Sequence, residues 1–127
     1  MARILIVEDS PLITQMLQMV CEGAGHVTLT AASFAEARDV AVAEADAAAP
    51  LEVILTDLHL PDSPEGDLVA ALLSLPGLAA AGVVLISGRP QAELDALVAS
   101  TDALAAISKD VGLAGLSERL PALLDDL

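Results

Sequence analysis

Short runs of branched apolar residues recur along this chain, and each is followed by a longer stretch with helical spacing. That alternation restricts the fold more than any other feature, because it decides how the backbone pairs. Ala2–Val7 (ARILIV) is a continuous apolar run suited to a strand buried on both faces. Ser10 offers an N-cap with Pro11 at the first helical position, and Ile13, Met16, Leu17 and Val20 follow at helical spacing. Gly23 and Gly25 close that helix. The pattern then repeats: a strand at His26–Thr30 precedes a helix capped by Ser33 and running to about Ala47. Leu51–Thr56 is a strand, followed by a Pro-containing loop and a helix from about Gly66 to Leu75. Gly82–Ser87 leads to a helix over Pro90–Ser100, and a weak fifth strand at Ala103–Ser108 leads to a last helix over Val111–Leu127.

Strands that alternate with helices are joined by crossovers, so they lie parallel with helices on both faces. Right-handed crossovers then leave few topologies. The expected fold is α/β: a flavodoxin-like, doubly wound parallel sheet of five strands in the order 2-1-3-4-5. With 127 residues the chain holds one domain, residues 1–127, and it contains no repeat, linker or low-complexity tract.

Charge narrows the function. The formal net charge is −14, from 5 Lys+Arg against 19 Asp+Glu, and such a surface repels a phosphate backbone. Nucleic acid is therefore not an expected partner of this chain alone. A single aromatic residue, Phe34, also leaves no platform for stacking bases. No apolar run approaches the roughly 18 residues of a membrane span, and the stretch after Arg3 is too short for a signal peptide. The expectation is a soluble, cytoplasmic protein without a membrane partner. Cys21, the only cysteine, falls among the apolar residues of the first helix and reads as a buried, inert thiol. His26, at a strand start, reads as structural.

In an open parallel sheet, chemistry gathers at the carboxyl ends of the strands. Glu8 and Asp9 follow the first strand, Asp57 the third, Ser87-Gly88 ends the fourth, and Lys109 follows the fifth. The order 2-1-3-4-5 makes these ends neighbours. Three carboxylates gathered there repel one another, and a hard divalent cation resolves the conflict. Oxygen ligands with room for water and a phosphate oxygen suit Mg²⁺. Lys109 can hold a phosphoryl oxygen and the Ser87 hydroxyl can donate to another. The set reads as a phosphoryl-transfer site built from a nucleophilic carboxylate, a metal, a lysine and a hydroxyl.

The segments ILIVEDS, TDLHLPD, VVLISG and the Ile107-Ser108-Lys109 triplet resemble those of bacterial two-component response-regulator receiver domains, and ASFAEA (Ala32–Ala37) resembles their second-helix entry. The resemblance spans essentially the whole chain and is nearest to the stand-alone, chemotaxis-type regulators. It implies that Asp57 accepts a phosphoryl group from a histidine kinase or phosphotransfer protein. Asp9 would then be a direct metal ligand, Glu8 would reach the metal through water, and the backbone carbonyl of His59 would complete the shell. Ser87 would be the switch hydroxyl, Gly88 the small residue beside the phosphoryl group, and Lys109 its lysine. His59 and Arg89, two residues beyond Asp57 and Ser87, would tune phosphoryl lifetime. Output to a protein partner would pass through the fourth helix, fifth strand and fifth helix, a surface through which a homodimer could also form.

Three positions depart from that pattern. Ala106 stands where the family usually has Phe or Tyr, and Asp110 where it usually has Pro after the lysine. A cis bond before a non-proline residue costs about 2.5–4 kcal/mol, so a trans peptide is expected there. The loop Leu60–Gly66 is one residue longer than the common pattern and carries a second proline. These departures keep a second reading open: a degenerate receiver that docks a partner without phosphate. A hydrolase with an aspartate nucleophile would want an acid where His59 stands, and flavin binding would want a phosphate-cradling loop. In the last helix, Leu113, Leu116, Leu120, Leu123 or Leu124, and Leu127 form an apolar stripe, which Gly112 and Gly115 weaken and Pro121 is expected to kink or end. With no effector segment after Leu127, the chain reads either as a stand-alone regulator or as a piece of a longer one.

Overall fold

Alternate residues of each central strand face opposite ways, and both faces are covered. In the computed structural model, which describes residues 2–47, 49–64 and 66–127, the elements run β1 (Arg3–Val7), α1 (Pro11–Gly23), β2 (Val27–Ala31), α2 (Phe34–Glu44), β3 (Val53–Thr56), α3 (Leu68–Leu73), β4 (Gly82–Ser87), α4 (Gln91–Ser100), β5 (Ala105–Ser108) and α5 (Gly112–Asp125). A single 3₁₀ turn, Lys109–Val111, joins β5 to α5. All strand pairs are parallel and the sheet order is β2-β1-β3-β4-β5. The expected topology is therefore present.

Leu5, Val7, Ile54, Val83 and Leu85 point to one side, where Ala37, Ala41, Val69 and Leu72 pack on them. Ile4, Ile6, Leu55, Val84 and Ile86 point to the other, against Leu17, Cys21, Leu116, Leu120 and Leu124. Two cores sharing one sheet explain why the strands read as unbroken apolar runs. Each fully buried Leu or Ile contributes about 1.5–3 kcal/mol, so the layer is rigid enough to aim what projects from its rim. No helix of the described residues is long and apolar enough to cross a membrane.

Local signals mostly hold. Ser10 and Ser33 accept from the N–H groups of Ile13 and Glu36 as N-caps, and Pro11 opens α1. Cys21 is buried, and burial pushes its thiol up to about 11. His26 is tied down structurally, its Nδ1 accepting from the Ala2 N–H at 2.9 Å.

Several boundaries differ. The third helix spans only Leu68–Leu73, because Asp67 caps it by accepting from the Ala70 N–H. The second helix ends at Glu44 and the fifth strand begins at Ala105. The last helix starts at Gly112, where φ is +70°, a left-handed conformation that glycine reaches without a Cβ clash. Pro121 lies inside α5 and does not end it. The leucine stripe divides: Leu116, Leu120 and Leu124 join the core, whereas Leu113 and Leu127 are exposed. No described peptide bond is cis.

Candidate functional site

The register of the sheet brings the candidate residues to one edge. Val7 lies opposite Thr56, and the Asp57 N–H donates to the Val7 carbonyl at 3.0 Å, so Glu8 and Asp57 emerge side by side. Ser87 lies opposite Ser108, which delivers Lys109 to the same rim. Lys109 Nζ donates to Glu8 Oε2 at 2.9 Å and to Asp57 Oδ2 at 3.1 Å. The ammonium thus bridges residues 101 and 52 positions away in sequence.

Electrostatics at this rim is unbalanced. The Glu8 and Asp57 side chains are 2% and 8% exposed, and one lysine, its side chain 22% exposed, serves both. Burial raises the Glu8 carboxyl above its ordinary value, with Asp57 beside it adding to the effect against the bonds from Lys109 and the Ser10 N–H. Burial also works against the charged form of Asp57. There the N–H of His59, Lys109 and the N–H of Leu58 outweigh it, and the net shift is downward. Lys109 is desolvated too, but its bonds to both acids hold its proton more tightly than usual. Of the two buried acids, Asp57 is therefore the one whose charged form its surroundings favour.

Asp9 is exposed and, among the described residues, its carboxylate accepts no hydrogen bond. One oxygen from each of Glu8, Asp9 and Asp57 lies within 4.8 Å of the others. Ligands on one octahedral ion at 2.0–2.1 Å stand about 3–4 Å apart, so this oxygen-only set fits a hard divalent cation after small side-chain adjustments. The three acids could hold a metal ion.

The other predicted residues surround this core. Ser87 is fully buried, and its Oγ accepts from the Arg89 N–H at 3.3 Å. Among the described residues nothing accepts the Ser87 proton. Gly88 is exposed, and a Cβ built there would touch nothing, so its neighbourhood is open. Arg89 is half-buried and lines a cleft of about 360 Å³ with Leu58, Ser63, Val69, Leu85 and Leu97. His59 is exposed, and its N–H, 3.1 Å from Asp57 Oδ1, is the group that touches the acid. A groove of about 450 Å³ between α1 and α5 holds none of the acids. A groove of the same volume is lined by Glu8 and Asp9, so charge, and not cavity size, marks the candidate site.

The fold that carries this rim is shared with solved structures. No protein-family model matches the chain, and no curated protein matches its sequence. Solved structures do. The chemotaxis response regulator CheY4 of Vibrio cholerae is 24% identical, with a TM-score of 0.75 over 100% of this chain and 99% of that one. A CheY-like response regulator receiver domain protein from Methanospirillum hungatei is 25% identical, with a TM-score of 0.72 over 99% and 95%. The phosphorylated cyanobacterial phytochrome response regulator RcpA is 22% identical, with a TM-score of 0.75 over 98% and 91%. The chain has the receiver-domain fold.

Within that receiver fold, two arrangements had no sequence signal. Asp62, in the loop after Asp57, accepts from the N–H groups of Phe34 and Ala35 at 2.7 and 2.9 Å and so caps α2 from 28 residues away. The longer loop is thereby pinned across the rim, with the Ser63 hydroxyl accepting from the Leu60 N–H; Glu65 in that loop lies outside the described residues. The second arrangement is the side chain of Gln91, which bonds to β5 on either side of Ile107. Nothing in the residue type distinguishes Gln91 from any other polar residue in a first helical turn.

Proposed function

We propose that this chain is a phosphorylation-controlled signalling receiver with Asp57 as its phosphoacceptor. The observation that carries the reading is the Lys109 ammonium held between the Glu8 and Asp57 carboxylates, with the exposed Asp9 beside them. An Asp57 oxygen attacks the phosphorus of a histidine kinase or phosphotransfer partner, or of a small acyl phosphate. The bond from phosphorus to the donor breaks, and the donor keeps the electron pair and takes up a proton. The new acyl phosphate is later hydrolysed by water at phosphorus, so the chain catalyses only its own modification and its reversal.

Mg²⁺, when bound by Glu8, Asp9, Asp57 and the His59 carbonyl, supplies the positive charge that lets phosphoryl oxygens approach three acids. Lys109 donates to one phosphoryl oxygen, and the Ser87 proton, which has no acceptor of its own, goes to another. Gly88 leaves the phosphoryl group accessible, while His59 and Arg89 flank the path of attacking water and set how long it survives. Drawing Ser87 and Lys109 inward biases the loops after β4 and β5, and the α4–β5–α5 face presents the change to an output protein or a second copy. A cytoplasmic site of action follows from such a partner set.

Ala106 and Asp110 favour one other reading, a receiver that docks its partner without phosphate. Intact-protein mass after incubation with acetyl phosphate and Mg²⁺ separates the two. A single phosphoryl adduct that requires metal and disappears in Asp57→Asn is expected; no adduct in a protein that binds Mg²⁺ leaves the phosphate-independent module.

A further inference from the structure

Helix α4 makes its apolar contacts from Leu94 onward, with Leu97 and Val98 partly buried against the core. Leu94 is its only buried residue, and Pro90 at its N-cap gives it no side-chain cap. What ties its first turn to the sheet is the Gln91 amide. Its Oε1 accepts from the Ser108 N–H at 2.9 Å, and its Nε2 donates to the Ala106 carbonyl at 3.0 Å. The second Nε2 proton goes to Asp95 Oδ1 at 2.9 Å, one turn along the helix. Both amide protons and the carbonyl are thus committed, which fixes the orientation of the group. The side chain takes the place of a strand residue beside the edge strand β5.

A second set of bonds runs alongside. Ser87 Oγ accepts from the Arg89 N–H, and the Arg89 carbonyl accepts from Ser108 Oγ at 2.8 Å. Ser108 Oγ in turn accepts from the Asp110 N–H at 3.2 Å. Ser108 and Asp110 flank Lys109 on both sides. Ser108 is buried, so its N–H has no water to fall back on if Gln91 is removed.

We infer that Gln91 is a positioning residue: it clamps α4 to β5 so that the loop after β4 and the segment carrying Lys109 move as one unit. The inference rests on the receiver reading for its signalling role, and it supplies a polar linkage where Ala106 leaves no ring to move. The clamp acts through Lys109 and Ser87 and does not touch the phosphoryl group. Pulling Lys109 toward a phosphoryl group shifts Ser108, and through the Gln91 amide the first turn of α4 follows.

The test compares the full chain with Gln91→Leu, which removes all three bonds at similar size, and with Gln91→Glu. The glutamate keeps an acceptor for Ser108 but sets carboxylate oxygens against the Ala106 carbonyl and Asp95. In the unphosphorylated protein, amide hydrogen exchange at Ser108 is expected to be about tenfold faster in Gln91→Leu, with Leu55 and Ile86 unchanged. With acetyl phosphate and Mg²⁺, Gln91→Leu is expected to form the Asp57 adduct within about twofold of the wild-type rate. Its amide shift changes should stop at residues 87–89, where the wild type carries them into 91–100. Gln91→Glu is expected to exchange at Ser108 more slowly than Gln91→Leu and still to lose the spread into α4.

Unchanged Ser108 exchange in Gln91→Leu overturns the clamp. Full spread of the shifts in a phosphorylated Gln91→Leu overturns its relay role and leaves the receiver reading intact. Absence of any adduct in the wild type overturns the receiver reading and the relay with it, while Ser108 exchange still decides whether the clamp exists.

Discussion

Two ends of the same sheet carry ion pairs, and they are built differently. At the amino end of the strands Arg3 Nη2 meets Glu44 Oε2 at 2.8 Å, with side chains 19% and 26% exposed, and the guanidinium also donates to the Ala49 carbonyl. One cation meets one acid there, both partly exposed, and the pair joins β1 to the end of α2. At the carboxyl end one ammonium faces two acids that are almost wholly buried, with a third carboxylate exposed beside them. Balanced charge near solvent adds little and asks for nothing further. Surplus negative charge held out of water destabilises the fold unless a cation arrives. The imbalance, more than the presence of ion pairs, separates the carboxyl edge of the sheet from the amino edge.

The sharpest way to break that contrast is Lys109→Met. Glu8 and Asp57 would then face each other buried and without a cation, at a cost of roughly 3 kcal/mol at neutral pH. Urea unfolding is expected to show most of that loss recovered on acidification, as the two carboxylates take up protons. A loss below about 1 kcal/mol would mean that the acids are better solvated than their burial indicates.

The reverse experiment supplies a cation. Mg²⁺ at a hundred times its dissociation constant is expected to stabilise the wild type by about 2.7 kcal/mol, measured as a rise in the urea midpoint. Asp9→Asn should weaken the response and Glu44→Gln should leave it unchanged. An equal response in all three proteins would put the ion somewhere other than the acidic rim.

The metal-free protein should also show a two-sided pH profile. Glu8 has its folded value raised above the ordinary 4.5, so it takes up a proton more readily folded than unfolded. Stability therefore rises as pH falls through the raised Glu8 value toward the ordinary 4.5. Asp57 is lowered below the ordinary 3.8, and the stability it contributes is present above that value and lost as pH falls through the lowered one. Urea midpoints across this range are expected to pass through a maximum on the acid side of neutrality, and Glu8→Gln should flatten the rising limb. A flat wild-type profile would remove the case for charge imbalance.

The smallest effect belongs to the other end. Glu44→Gln is expected to cost between 0 and about 1 kcal/mol in the same assay, with little dependence on pH between 6 and 8. A larger loss would make the amino end a structural anchor in its own right.

Most of the site was legible in residue order because strand ends in a parallel sheet are forced together. Once ILIV, VILT, VVLIS and AIS are strands, Glu8, Asp9, Asp57, Ser87 and Lys109 have nowhere else to go. Charge counting then exposed the surplus of acid. The second core, the buried Cys21 and the serine caps on α1 and α2 followed from periodicity and capping chemistry in the same way. Helix ends were less legible: Asp67 shortened α3 and Pro121 was absorbed into α5, since both outcomes depend on neighbours outside the local window.

Periodicity, capping and strand-end chemistry are local properties of a chain, and they determined the sheet order, the two covered faces and the membership of the acidic rim. Which acid is raised and which lowered, the reach of Asp62 to α2, and the grip of Gln91 on β5 were decided only by tertiary structure. Each depends on a distance of a few ångströms between residues far apart in sequence, and hydrogen bonds and desolvation are set by those distances, not by residue type.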